Sequence, residues 1–233
     1  MKDFTVYINE KLKITKNTLQ NQNKYHPKTI DELVEIIKEE VTNNGWECDL
    51  NHIDVSEITD MSYLFSPTIN DGYGLDNFNG DISKWNVGKV ESMAYMFASS
   101  KFNGNISNWN VSEVRDMSSM FSRSEFNRDI SRWNVGKVTD MSGMFGNTKK
   151  FNQNICKWNV SNVENMRKMF SQSSFNGDIS KWNVNKVIDM LNMFYSSKFR
   201  GDISNWKLNK NCDTTNMFTD CPIKDKYKPK FNK

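Results

Sequence analysis

The chain has little of what most function classes require. It holds two histidines, His26 and His52, and four scattered cysteines, Cys48, Cys156, Cys212 and Cys221, with no C-x-x-C pair. Neither a zinc site nor a disulfide framework is indicated, and the thiols read as reduced. Nowhere do eighteen apolar residues run together, so no segment is long and apolar enough to span a bilayer. The opening MKDFTVYINEKLKITKN alternates charged and apolar residues and lacks the continuous apolar run of an export signal. A cytoplasmic setting, or a phage-encoded one with the virion included, is therefore expected. No glycine-rich phosphate loop and no nucleophile elbow occur. Net charge is only +3, which by itself points to neither nucleic acid nor membrane.

What is present is bulk: 15 Phe, 7 Trp and 13 Met in a chain whose mean hydropathy is -0.71. These residues are periodic. Trp85, Trp109, Trp133, Trp158, Trp182 and Trp206 stand 24, 24, 25, 24 and 24 residues apart. Phe78, Phe102, Phe126, Phe151, Phe175 and Phe199 each precede a Trp by seven, and a Met-x-x-Met-Phe block follows, as at 93–97, 117–121, 141–145, 166–170 and 190–194. A first copy without Trp runs from Leu50 through Ile53, Val55, Ile58 and Met61 to Phe65, and a last copy keeps only Met217 and Phe218 of its Met-Phe block. Self-similarity at this period is the signature of a stacked array with atypical ends.

Within a copy, Trp85 and Val87 are two apart and share one face of an extended segment, and after Val90 the apolar spacing becomes three. This predicts an α/β repeat solenoid, a right-handed leucine-rich-repeat-like coil. Each repeat of about 24 residues supplies one short parallel strand and one short helix or 3-10 turn, and an N-terminal helix caps the array. The Asp/Asn column at Asp81, Asn105, Asp129, Asn154, Asp178 and Asp202 reads as turn capping, since calcium-binding β-helices use a nine-residue period. Gly80 and Gly177 mark the tight turn before each strand, where a positive φ is convenient but not obligatory, because Arg128 and Gln153 replace the glycine elsewhere.

The phrase DISKWNVGKVESMAYMF at 81–97 resembles the BspA-like leucine-rich-repeat family, the DUF285 repeats of bacterial surface proteins and mobile elements. The likeness extends over roughly Lys28 to Cys221. Val90 and its equivalents stand where ordinary leucine-rich repeats carry a buried Asn. The resemblance implies a curved coil, bacterial or phage in origin, whose members bind proteins or adhere to surfaces.

Four regions follow. Residues 1–27 form an N-terminal segment and linker, with 1–16 read as a short strand or docking peptide. Residues 28–49 carry an amphipathic capping helix with Thr29 as N-cap and an apolar stripe of Ile30, Leu33, Val34, Ile37 and Val41. Residues 50–221 are the seven-unit array, with a loop insertion at 66–77. Residues 222–233 are a basic tail, of which 224–233 is expected to be disordered. His26 and His52 fall in the cap region and read as ordinary cap residues.

Catalysis needs a few convergent, non-repeated polar groups, whereas the array offers the same residues in rows. The chain is therefore expected not to be an enzyme and to have no catalytic residue, metal or cofactor. The partner-binding face is read from the outward positions of the strand: Lys84, Asn86, Lys89, Asn110, Arg132, Asn134, Lys137, Lys157, Asn159, Lys181, Asn183 and Lys186. Its Asn column is also read as an amide ladder linking strands. The expected function is protein–protein interaction, a basic, Asn-rich face receiving a protein with an acidic surface. Two alternatives stay open: a binder of anionic polymer, either nucleic acid or acidic glycan, and a surface adhesin as in secreted relatives. Nucleic acid ranks lower because the Trp and Phe columns point inward. No membrane partner is expected.

Overall fold

A computed structural model describes residues 25–67 and 72–231. The short strand or docking peptide expected at 1–16, most of the linker and residues 68–71 of the insertion lie outside the described residues.

Seven coils stack along one axis, and the large side chains of each coil meet their equivalents in the next. Phe97, Phe121, Phe145, Phe170 and Phe194 form one column with ring centroids 5.7–5.8 Å apart. Phe78, Phe102, Phe126, Phe151, Phe175 and Phe199 form a second at 6.2–6.5 Å. Phe121 and Phe126, like Phe145 and Phe151, join the two columns at 4.1 and 3.9 Å. The Trp, Val and Met columns complete the core, all essentially buried. A single coil would expose most of this surface, so stability comes from the stacking.

Each indole N–H donates to the preceding coil: Trp85 to the Leu50 carbonyl at 3.0 Å, Trp109 to Ile82, Trp133 to Ile106, Trp158 to Ile130, Trp182 to Ile155 and Trp206 to Ile179, at 3.1–3.2 Å. A buried indole thus keeps its hydrogen bond while filling the core.

Among the described residues the expected strand and helix or 3-10 turn per repeat are absent. β-Pairing among the described residues is limited to eight isolated parallel bridges, with no strand or sheet, and the α-helix is confined to the cap. The α/β leucine-rich-repeat coil is therefore overturned, for a local reason. Trp85 N–H bonds Ile82 O, Val90 N–H bonds Val87 O, and Asp81 Oδ1 accepts from Ser83 N–H. A turn every few residues leaves no run extended enough to form a ladder.

The Met-Phe segment is likewise a chain of turns. Met96 N–H bonds Met93 O, Ala98 N–H bonds Tyr95 O, and Ser100 N–H bonds Phe97 O. Tyr95 (φ 58) and Ser99 (φ 55) sit at the third residue of two of these turns. Positive φ at that position belongs to type II turns and stops right-handed helix from propagating. Alternate amides meanwhile reach forward: Met93, Tyr95, Phe97 and Ser99 donate to Asp116, Ser118, Met120 and Ser122 of the next coil, and the pattern repeats along the stack.

The cap helix α1 spans Ile30–Asn44. Thr29 Oγ1 accepts from Glu32 N–H, Glu32 Oε2 accepts from Lys28 N–H, and Gly45 (φ 85) closes it with a bond to Val41 O. Leu33, Val34, Ile37 and Val41 are buried against the first coil. At the opposite end the tail packs against the array. Tyr227 O accepts from Ile203 N–H, Ile223 and Pro229 are buried, and Phe231 meets Phe218 edge-on at 6.3 Å. The tail covers apolar surface that the last coil would otherwise leave wet.

Candidate functional site

The turns place two surfaces on the stack. The first carries the residues expected to bind a partner. With no strand, these positions lie on the turns flanking each Trp, and Lys84, Asn86, Lys89, Asn110, Arg132, Asn134, Lys137, Lys157, Asn159, Lys181, Asn183 and Lys186 are all exposed. They are not electrostatically equivalent. Lys89 pairs with Glu57 at 2.7 Å and Lys137 with Glu113 at 2.6 Å, so two cations of that column are ion-paired, while Lys186 bonds the neutral Asn162 at 2.8 Å. Lys84, Arg132, Lys157 and Lys181 form a separate ridge with no ion pair among the described residues.

Turn carboxylates flank this ridge. Asp129 accepts from Ser131 N–H and Asp178 from Ser180 N–H, and these bonds hold both carboxyls below their usual range, with Arg132 and Lys181 adding to the effect. Lys157 differs, because its turn is capped by the neutral Asn154.

The Asn column does not form the expected ladder. Asn86, Asn110, Asn134, Asn159 and Asn183 turn their Oδ1 onto their own chain two residues on, at 3.2–3.3 Å. These Asx turns direct the amide oxygens onto their own coil. The inter-coil ladder belongs to another column: the Oδ1 of Asn79, Asn103, Asn127, Asn152 and Asn176 accept from Asn103, Asn127, Asn152, Asn176 and Arg200 N–H. The Asn after five of the six repeated Phe residues is its signal in the sequence.

Both histidines tie the cap to the first coil, His52 Nε2 lying 3.3 Å from Glu40 of α1 and His26 Nδ1 3.2 Å from Asp54. The four cysteines are free. Burial, then Asp189 and Asp213, push the Cys212 thiol up to about 11, away from nucleophilic use.

The second surface was not read from the sequence. A groove of about 570 Å3 runs over the Met-Phe turns of coils one to five. Its floor is the residue after each Phe: Ser66, Ala98, Ser122, Gly146 and Ser171. One shoulder is the positive-φ row Tyr63, Tyr95, Ser119, Gly143 and Lys168, and the other includes Ser99, Arg123 and Asn147. Tyr63 and Tyr95 stack at 4.8 Å with planes 4° apart. Among the lining residues Arg123 and Lys168 are the charged ones, and no carboxylate is present.

No helix among the described residues is long and apolar enough to cross a membrane, and no group of three or more His, Cys, Asp or Glu there could hold a metal ion. No curated protein and no solved structure matches the chain. One family profile does, described as a Mycoplasma protein of unknown function, DUF285, and it matches twice, over residues 31–146 and 122–230. The repeats and these two overlapping matches cover most of the sequence, and the chain belongs to the DUF285 family.

Proposed function

We propose that the chain is a non-catalytic protein-interaction module whose ridge of Lys84, Arg132, Lys157 and Lys181 receives an acidic segment of a partner. The observation that carries this reading is the contrast between two adjacent columns. Lys89 and Lys137 are already paired with glutamates, while the four ridge cations are exposed with no ion pair among the described residues. Cations held on successive turns of a rigid stack suit an extended acidic surface. The likeness of residues 81–97 to BspA-like repeats, whose members bind proteins or adhere to surfaces, favours the same reading.

Titration of the full chain with a fluorescein-labelled octaglutamate peptide tests it. Saturable binding is expected, and Lys84→Glu, Arg132→Glu, Lys157→Glu and Lys181→Glu together should abolish it while leaving the thermal melt unchanged. Undiminished binding by that variant overturns the assignment. Preference for heparin or single-stranded DNA over the peptide, with a steep salt dependence, would assign the ridge to an anionic polymer instead.

A further inference from the structure

The groove over the Met-Phe turns has no part in the ridge, and two of its features are not required by the fold. Gly143 occupies a positive-φ position (φ 61), but Tyr95, Ser119, Lys168 and Asn192 hold the same conformation with side chains. Gly146 stands where Ser122, Ser171 and Tyr195 stand in other coils. Neither glycine is needed for the turn, and both leave coil four without a side chain in the groove; an added Cβ would lie 2.8 Å from Ser119 Oγ at Gly143 and 3.2 Å from Gly143 O at Gly146. The tyrosine column is also broken there: after the stacked Tyr63 and Tyr95, the next two shoulder positions carry no ring, and Tyr95 is 38% exposed. Arg123 and Lys168 flank the gap from coils three and five, without an ion pair among the described residues.

We propose that this groove receives an extended peptide segment bearing an aromatic side chain and, two residues further on, a carboxylate. The aromatic ring continues the tyrosine stack on Tyr95, over Ser119. The carboxylate sits above Gly143 and Gly146, between Arg123 and Lys168. In an extended peptide, residues two apart project from one face about 6.6 Å apart, more than the roughly 4.8 Å between coils, so a carboxylate two residues past a ring over Ser119 falls between the coils of Gly143 and Lys168. Five coils give a groove of about 19 Å, room for five or six extended residues. Two cations over that length match one or two carboxylates better than a polynucleotide, which brings a phosphate with every nucleotide. The proposal rests on the reading of the chain as a protein-interaction module but uses a different surface, so the two can fail separately.

The test is fluorescence anisotropy of the full chain with labelled Gly-Ser-Gly-Trp-Gly-Asp-Gly-Ser. Replacing the peptide's Trp by Gly, or its Asp by Lys, is expected to weaken binding at least tenfold. Gly146→Tyr should weaken it equally by filling the floor, and it should fold, because coil six carries Tyr195 at that position. Arg123→Glu with Lys168→Glu should do the same, whereas the four-residue ridge variant should change binding less than twofold. Absence of saturable binding at millimolar concentration, or binding unaffected by Gly146→Tyr, overturns the proposal. So does a twelve-residue oligothymidylate or a heparin tetrasaccharide that binds more tightly than the peptide and is displaced by the same substitutions.

Discussion

A tryptophan in the repeat does two things at once. Trp133 fills the core of a central coil, 3% exposed, and its Nε1–H donates to Ile106 O of the coil before. Trp133→Ala should cost on the order of 3 to 5 kcal/mol in chemical denaturation, as large-to-small core changes do. Lys137→Ala removes only an exposed ion pair to Glu113 and should cost less than about 1 kcal/mol. Equal effects would mean that inward and outward faces are misassigned. Asp129 and Asp178 act differently, through turns whose N–H groups favour the ionised carboxyl. Their folded pKa lies below the unfolded value, so the stabilisation is present above the ordinary carboxylate range and is lost as pH falls below about 4. Asp129→Asn with Asp178→Asn keeps an acceptor, as Asn105 and Asn154 already do in other coils. Stability at pH 7 should fall by the part that the ionised carboxyls contribute, while its decline as pH falls through the carboxylate range should become shallower. Glycine is a further residue-scale matter. The described Gly80 does not have positive φ; an added Cβ would lie 2.0 Å from the Cys48 carbonyl, so close approach and not turn geometry demands it.

At the scale of the element, the repeat shows what periodicity can and cannot disclose. The columns of Phe, Trp, Val and Met were legible because one residue type returns at a fixed interval and must be buried with its copies. The cap helix was legible from Thr29, the apolar stripe and Gly45. The secondary structure within a coil was not, because Trp85 and Val87 at strand spacing lie between two turns that the side-chain pattern does not report. Nor was the row of positive-φ residues, since Tyr, Ser, Lys and Asn occupy six of its seven positions and glycine one. The packing of the tail was not legible, because among its lysines stand Ile223, which is buried, and Phe231, which meets Phe218 edge-on. Removing residues 222–233 should lower stability by about 2 kcal/mol or more, by exposing what Ile223 and its neighbours cover. Loss of the N-cap through Thr29→Ala should cost about 1 kcal/mol, both read in denaturant titrations.

For the molecule as a whole, repetition separates positions that serve the stack from positions free to differ. The ridge could be listed from sequence because its residues keep register with Trp, yet its division into paired and unpaired cations depends on contacts 24 to 32 residues apart. The groove was hidden for the opposite reason: its residues change from coil to coil, and only the turns bring Tyr95, Arg123, Gly146 and Lys168 to one surface. Both surfaces require that every coil be held by the next, and amide hydrogen exchange tests that requirement most directly. Asn192 and Phe194 donate to Thr215 and Met217 of the following coil, whereas Asn216 and Phe218 have no following coil and no acceptor among the described residues. Slow exchange at Asn192 and Phe194, with much faster exchange at Asn216 and Phe218, is the predicted result. Equal protection at both pairs, or exchange at Phe97, Phe121 and Phe145 as fast as in an unfolded peptide, would contradict the stack of mutually supporting coils.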